Sequence, residues 1–124
     1  IYEYWLAIGQ LTNDADYYFK AIETVPKRAD AYLGVLKLGH TRGNWKILRK
    51  VLELYEQVDQ WNEVGLFMWP TNNWKVDDAA ALAYYEMEDM KNAKRSYEKA
   101  IKIDPNCVLN KFQMIAIRAF PTYL

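Results

Sequence analysis

The sequence predicts an all-α protein assembled from stacked pairs of antiparallel helices. Its 124 residues include five glycines and four prolines, too few to turn a β chain roughly every ten residues, and its apolar residues recur at spacings of three and four. With 52% apolar and 15% aromatic residues it can also build a packed core, which excludes a wholly disordered chain. The third observation is internal repetition. Residues 13–26 and 92–105 share Asn13 with Asn92, Tyr18 with Tyr97, Lys20 with Lys99, Ala21 with Ala100, Ile22 with Ile101 and Pro26 with Pro105. Such self-similarity marks an array in which each helix pair leaves an apolar face that a neighbouring pair must cover.

The elements follow in order along a single expected domain, residues 1–124. The first unit, residues 1–26, begins partway through a helix. It continues in a second helix over Asp14 to Val25, where Tyr17, Tyr18, Ala21, Ile22 and Val25 form one stripe and Pro26 stops the helix. The second unit, residues 27–73, opens with a helix over Arg28 to Gly39. A second helix spans about Asn44 to Gln60, with Trp45, Leu48, Val51, Leu52, Tyr55 and Val58 at helical spacing. After it comes the aromatic insertion Trp61 to Trp74, where Gly65-Leu66-Phe67-Met68-Trp69-Pro70 reads as an apolar loop or helix extension and Thr71-Asn72-Asn73 as a turn. The third unit, residues 74–107, pairs a helix over Asp77 to Met87 with one over Lys91 to Ile103. A further helix, Val108 to Phe120 within residues 108–124, is apolar on nearly every side. It is expected either to begin another repeat of a longer chain or to pack against a second copy, and a third option tucks it into its own array. The start at Ile1, without methionine or a secretory leader pattern, likewise suggests a piece of a longer polypeptide.

The pattern Tyr-x-x-Ala-Ile-x-x-x-Pro, preceded by Ala93 four residues before Tyr97, resembles the second helix of a tetratricopeptide repeat. Leu33-Gly34 match the Leu-Gly pair of that family's first helix, Ala80 and Ala81 stand at the same places in the third unit, and Tyr84 takes its aromatic position. In the first unit Trp5 takes the aromatic position and Gly9 the inter-helix glycine. Small residues at Gly34, Ala81, Ala21 and Ala100 let helix backbones approach closely. Two departures stand out: the recurring prolines are eleven residues further apart than two 34-residue repeats would place them, and Asp14 sits where the family prefers alanine. The resemblance implies a right-handed superhelix of about three helix pairs, with no catalysis of its own.

Net charge is zero, from sixteen basic and sixteen acidic residues, so no global field draws the chain to nucleic acid or an anionic membrane. Basic residues near aromatic ones, Lys46, Arg49 and Lys50 by Trp45, or Lys91, Lys94 and Arg95 by Tyr97, could suggest an RNA site, but the zero net charge and a single well-formed repeat argue against nucleic acid as partner. No apolar run approaches the eighteen residues of a membrane span. One cysteine and one histidine exclude an intrachain disulfide and the usual zinc sites, and no cofactor is expected. His40 reads as a helix-end cation, Cys107 as a small apolar residue, and Asp77 as the cap of the helix it opens; Asp78, Glu86 and Glu88, the rest of two carboxylate pairs, fit a solvated face. The lone thiol leans toward a reducing compartment, the cytoplasm.

By the resemblance, first helices line a concave groove that takes a peptide or helix of a protein partner. Its candidate contacts are Glu3 from the first unit, Tyr32 and Val35 from the second, and Asp78, Leu82, Tyr85 and Glu86 from the third. Chaperone-binding members grip a terminal carboxylate with Lys and Asn at positions held here by Glu3, Val35 and Leu82. The groove is therefore expected to prefer apolar side chains and a basic residue. Alternatives remain open: a self-associating structural segment, with a homo-oligomer forming through the C-terminal helix, or an interaction region appended to a bacterial signalling protein such as a serine/threonine kinase.

Overall fold

The computed structural model describes residues 1–61 and 73–103, which fall in two compact units, Ile1–Pro70 and Thr71–Leu124. The described residues form six α-helices and no strand: α1 (Tyr2–Thr12), α2 (Ala15–Thr24), α3 (Ala29–Arg42), α4 (Trp45–Glu56), α5 (Asn73–Glu86) and α6 (Met90–Ile103). In the first unit α1 pairs with α2 and α3 with α4, and α3 packs on both helices of the first pair. The second unit is built on the α5–α6 pair.

Each hairpin turns by the same local chemistry. One residue takes the left-handed conformation after the first helix, Asn13 (φ 55°), Gly43 (φ 60°) or Glu88 (φ 63°), and an Asp or Asn follows as the cap of the second. Asp14 Oδ1 accepts from the Asp16 N–H at 3.0 Å, Asn44 Oδ1 from the Ile47 N–H at 3.2 Å, and Asp89 Oδ1 from the Asn92 N–H at 3.2 Å. Asp14→Ala removes an anion from a helix N-terminus together with its hydrogen bond. Urea unfolding is expected to show a loss of about 1 kcal/mol, and an unchanged midpoint would contradict this role.

The cap explains why Asp14 stands where an alanine was expected. Helix α2 has 10 residues and α6 has 14, a difference of about one turn. Both helices end two residues before the proline of the repeated pattern, so the extra turn of α6 lies at its N-terminus. Asn13 is consequently a turn residue, whereas its counterpart Asn92 lies in the first turn of α6.

In the first unit Tyr18, Phe19, Ala21 and Ile22 of α2 meet Ala31, Tyr32, Val35 and Leu36 of α3 in the core, closed from the other side by Leu48, Val51, Leu52 and Tyr55 of α4. The aromatic ring of Tyr18 lies against two glycines on different helices. A β-carbon on Gly9 would be 3.2 Å from Tyr18 Cγ, and one on Gly34 would be driven into the ring edge, with Tyr18 Cζ 3.0 Å away. Gly34 thus has the close-approach role read from the sequence. Gly9, read as the inter-helix glycine, lies buried inside α1 against the same ring, and the turn itself is made by Asn13.

Other boundaries shift. Helix α3 runs to Arg42 rather than Gly39, placing the exposed His40 in its last turn. Helix α4 stops at Glu56, and its Trp45 is exposed. Helix α5 begins at Asn73, so Asp77 is a buried residue inside the helix and not its cap. Residues 62–72, holding most of the aromatic insertion, and 104–124, holding Cys107 and the final helix, lie outside the described residues.

Candidate functional site

Helix α3 has two long faces. One carries Ala31, Val35 and Gly39 into the core. The other, Asp30, Leu33, Gly34, Lys37, Leu38 and Thr41, faces the C-terminal half of α1 across a cleft of about 520 Å³, completed by Gln10, Asn13, Tyr18 and Arg42. Lys37 and Arg42 are exposed, Leu33 and Leu38 half-buried, and the buried Tyr18 ring reaches the floor past Gly34. The cleft therefore offers two cations, the Asp30 carboxylate that is paired with Arg28, two side-chain amides, the Thr41 hydroxyl and an aliphatic pair, enough to hold an extended or helical segment with acidic and apolar side chains.

One end of this face is locked. Arg28 Nη1 donates to Glu3 Oε1 at 2.6 Å and Nη2 to Asp30 Oδ2 at 3.4 Å, while the guanidinium lies 4.2 Å from the Tyr2 ring centroid. The Arg28 hydrogen bond holds the Glu3 carboxyl below its ordinary range. Burial raises that of Asp30 against the opposing pull of Arg28. Beneath them the Ala31 N–H donates to the Tyr2 hydroxyl at 3.0 Å, joining α1 to α3 inside the core.

The seven residues expected in the groove separate on this geometry. Glu3 is exposed but engaged by Arg28. Tyr32 and Val35 are core residues, 1% and 0% exposed; the Tyr32 hydroxyl donates to the Pro26 carbonyl at 2.7 Å, and its ring meets Trp61 edge to face at 5.0 Å. Asp78 is buried in the second unit. Leu82 and Tyr85 are half-buried and Glu86 is exposed along one side of α5. The cleft residues Leu33, Lys37, Leu38, Gln10 and Asn13 escaped the sequence reading. Their signal is the spacing 30, 33, 34, 37, 38, 41, a stripe with a glycine at its centre and polar residues at both ends.

A separate cavity of about 380 Å³ lies between α2 and α4, lined by Phe19, Ile22, Tyr32 and Leu54 with Lys27 and Lys50 at its edge. Lys27 is tied to Asp59 at 3.2 Å, and Lys50 Nζ lies 4.2 Å from the Phe19 ring centroid.

Among the described residues no group of His, Cys, Asp or Glu is placed to hold a metal ion, and no helix is long and apolar enough to cross a membrane. No curated protein is significantly similar to the chain. Residues 79–107 match the family model of the tetratricopeptide repeat, covering α6 and α5 from Ala79 onward. This stretch is thus similar to a tetratricopeptide repeat, the family whose signature the sequence carries most fully in residues 74–107.

Proposed function

We propose that the chain is a non-catalytic protein-binding module that takes a peptide or helix of a partner along the α1/α3 cleft. A tetratricopeptide repeat points to protein interaction in general. The observation supporting this location is the polar, open face of α3, where Lys37 and Arg42 project beside Leu33 and Leu38. Because Glu3 is engaged by Arg28, the charge left in this cleft favours an acidic partner segment, the reverse of the sequence expectation for this unit. In the second unit the corresponding contacts are Leu82, Tyr85 and Glu86, whereas Tyr32, Val35 and Asp78 shape the helices that carry the contacts.

The test reverses one cation. Lys37→Glu, on an exposed position of α3, is expected to weaken binding of a partner recovered with the wild-type chain about tenfold or more while the melting temperature stays put. Glu53→Lys, on the exposed side of α4, is the control. Equal affinity for the wild type and Lys37→Glu would remove the cleft as the binding site.

A further inference from the structure

The two hairpins of the first unit repeat in register at a period of thirty residues: Gly9 corresponds to Gly39, the left-handed Asn13 to Gly43, and the cap Asp14 to Asn44. Helices α2 and α4 therefore hold equivalent places, and two lysine contacts show that they lie side by side and run the same way. Near their starts Lys50 of α4 reaches back to the Phe19 ring of α2, with Nζ 4.2 Å from the centroid. Past their ends Lys27 pairs with Asp59 at 3.2 Å. The cavity of about 380 Å³ lies between these two ties as a trough. Phe19, Ile22 and Pro26 wall it on the α2 side, Leu54 and Val58 on the α4 side, and Tyr32 of α3 lies at its floor. The Tyr32 hydroxyl already donates to the Pro26 carbonyl, so the floor is apolar.

We propose that this trough, separate from the α1/α3 cleft, binds an unbranched aliphatic monocarboxylate, with its chain along Ile22, Leu54 and Val58 and its carboxylate on the Lys50 ammonium. The dimensions set the chain. From Phe19 to Pro26 is two helical turns, about 11 Å. A volume of about 380 Å³ drawn out over that length is narrow, and it lies at the small end of the ~300–1,000 Å³ of ordinary ligand pockets. An extended chain fills such a space where a fused ring system does not. The charges set the head group. Lys27, Lys50 and Glu23 line the trough, two cations against one anion, which leaves a place for one negative charge. Lys27 is tied to Asp59, whereas Lys50 is held by a ring face rather than by an acid, a contact it can keep while donating to a carboxylate. Glu23, exposed on the lip opposite Lys50, counts against a doubly charged head such as a phosphate monoester, and the two lysines count against an amine.

The experiment titrates octanoate, below the concentration at which it forms micelles, into the isotope-labelled chain and follows its methyl resonances by NMR. Saturable shifts are expected at Ile22, Leu54 and Val58. Acetate, which keeps the head without the chain, and octylamine, which keeps the chain with the opposite charge, are expected to shift them far less. Lys50→Met retains an unbranched stem beside Phe19 at an exposed position, so the fold is kept. It is expected to raise the octanoate Kd about fivefold and to leave that of octanol unchanged. Leu54→Trp fills the trough and is expected to abolish binding of both. The proposal is overturned by an absence of saturable shifts, by octylamine binding as tightly as octanoate, by an octanoate Kd that Lys50→Met leaves unmoved, or by undiminished binding to a folded Leu54→Trp chain.

Discussion

Gly34→Ala is expected to destabilise the first unit by about 2 kcal/mol, although alanine is the better helix former by up to about 1 kcal/mol. A β-carbon at this position meets the Tyr18 ring edge, and that ring is buried, so the contact is relieved only by displacing a packed side chain. Overpacking therefore outweighs propensity. The decisive measurement is a double-mutant cycle by urea unfolding. With Tyr18→Leu the obstruction is gone, and the same Gly34→Ala change is expected to stabilise, so the effect changes sign. A Gly34→Ala effect of the same sign and size in both backgrounds would mean that α3 does not approach α2 through this contact. Gly34→Leu goes further and is expected to leave the first unit without its native packing.

Gly34 was also among the features legible in the sequence, and comparison with what was not legible shows where the information lies. A glycine amid large apolar residues, a stripe such as Tyr18, Ala21 and Ile22, and a proline two residues past a helix all act locally, so the helices and the small-residue contact could be read directly. The phase of α3 could not. Ala29, Ala31, Tyr32, Leu33, Val35, Leu36 and Leu38 put apolar side chains all around this helix, and an error of one residue rotates the chosen face by about 100°. Tyr32 and Val35 were thus assigned to a partner when the core holds them, and Leu33, Lys37 and Leu38 were passed over. Helix starts failed for a related reason. Asp77 has the chemistry of a cap, but α5 had already begun at Asn73, and only tertiary packing decides which Asp is buried and which caps. The Glu3–Arg28 pair lies beyond any local pattern, since its partners are separated by twenty-five residues and meet only when α1 and the start of α3 are in place. The thirty-residue register of the first unit could have been found, because Tyr2 and Tyr32, Leu6 and Leu36, Gly9 and Gly39, and Lys20 and Lys50 all repeat at that offset. The stronger match between residues 13–26 and 92–105 concealed it.

Two of those repeated residues give the largest expected effect of pH. Burial pushes the hydroxyls of Tyr2 and Tyr32 up from the usual 10.0 to about 12, in Tyr2 against the opposing pull of the Ala31 N–H. A tyrosine that resists ionising when folded binds its proton more tightly than the unfolded chain does. The resulting stability is complete below about pH 10 and is lost as pH rises toward 12. Two units on each residue correspond to roughly 2 to 3 kcal/mol apiece, so the folding free energy of the first unit is expected to fall by several kcal/mol across this window. Urea unfolding at stepped alkaline pH measures the fall, and absorbance near 295 nm should show part of the tyrosinate signal appearing only as the chain unfolds. Tyr32→Phe isolates one contribution. It starts less stable by about 1 kcal/mol, because the hydroxyl donates to the Pro26 carbonyl at 2.7 Å, yet its stability should decline about half as steeply between pH 10 and 12. If the variant and the wild type decline in parallel, Tyr32 ionises freely in the folded chain and does not occupy the core position between α2 and α4 on which the packing of the second hairpin depends.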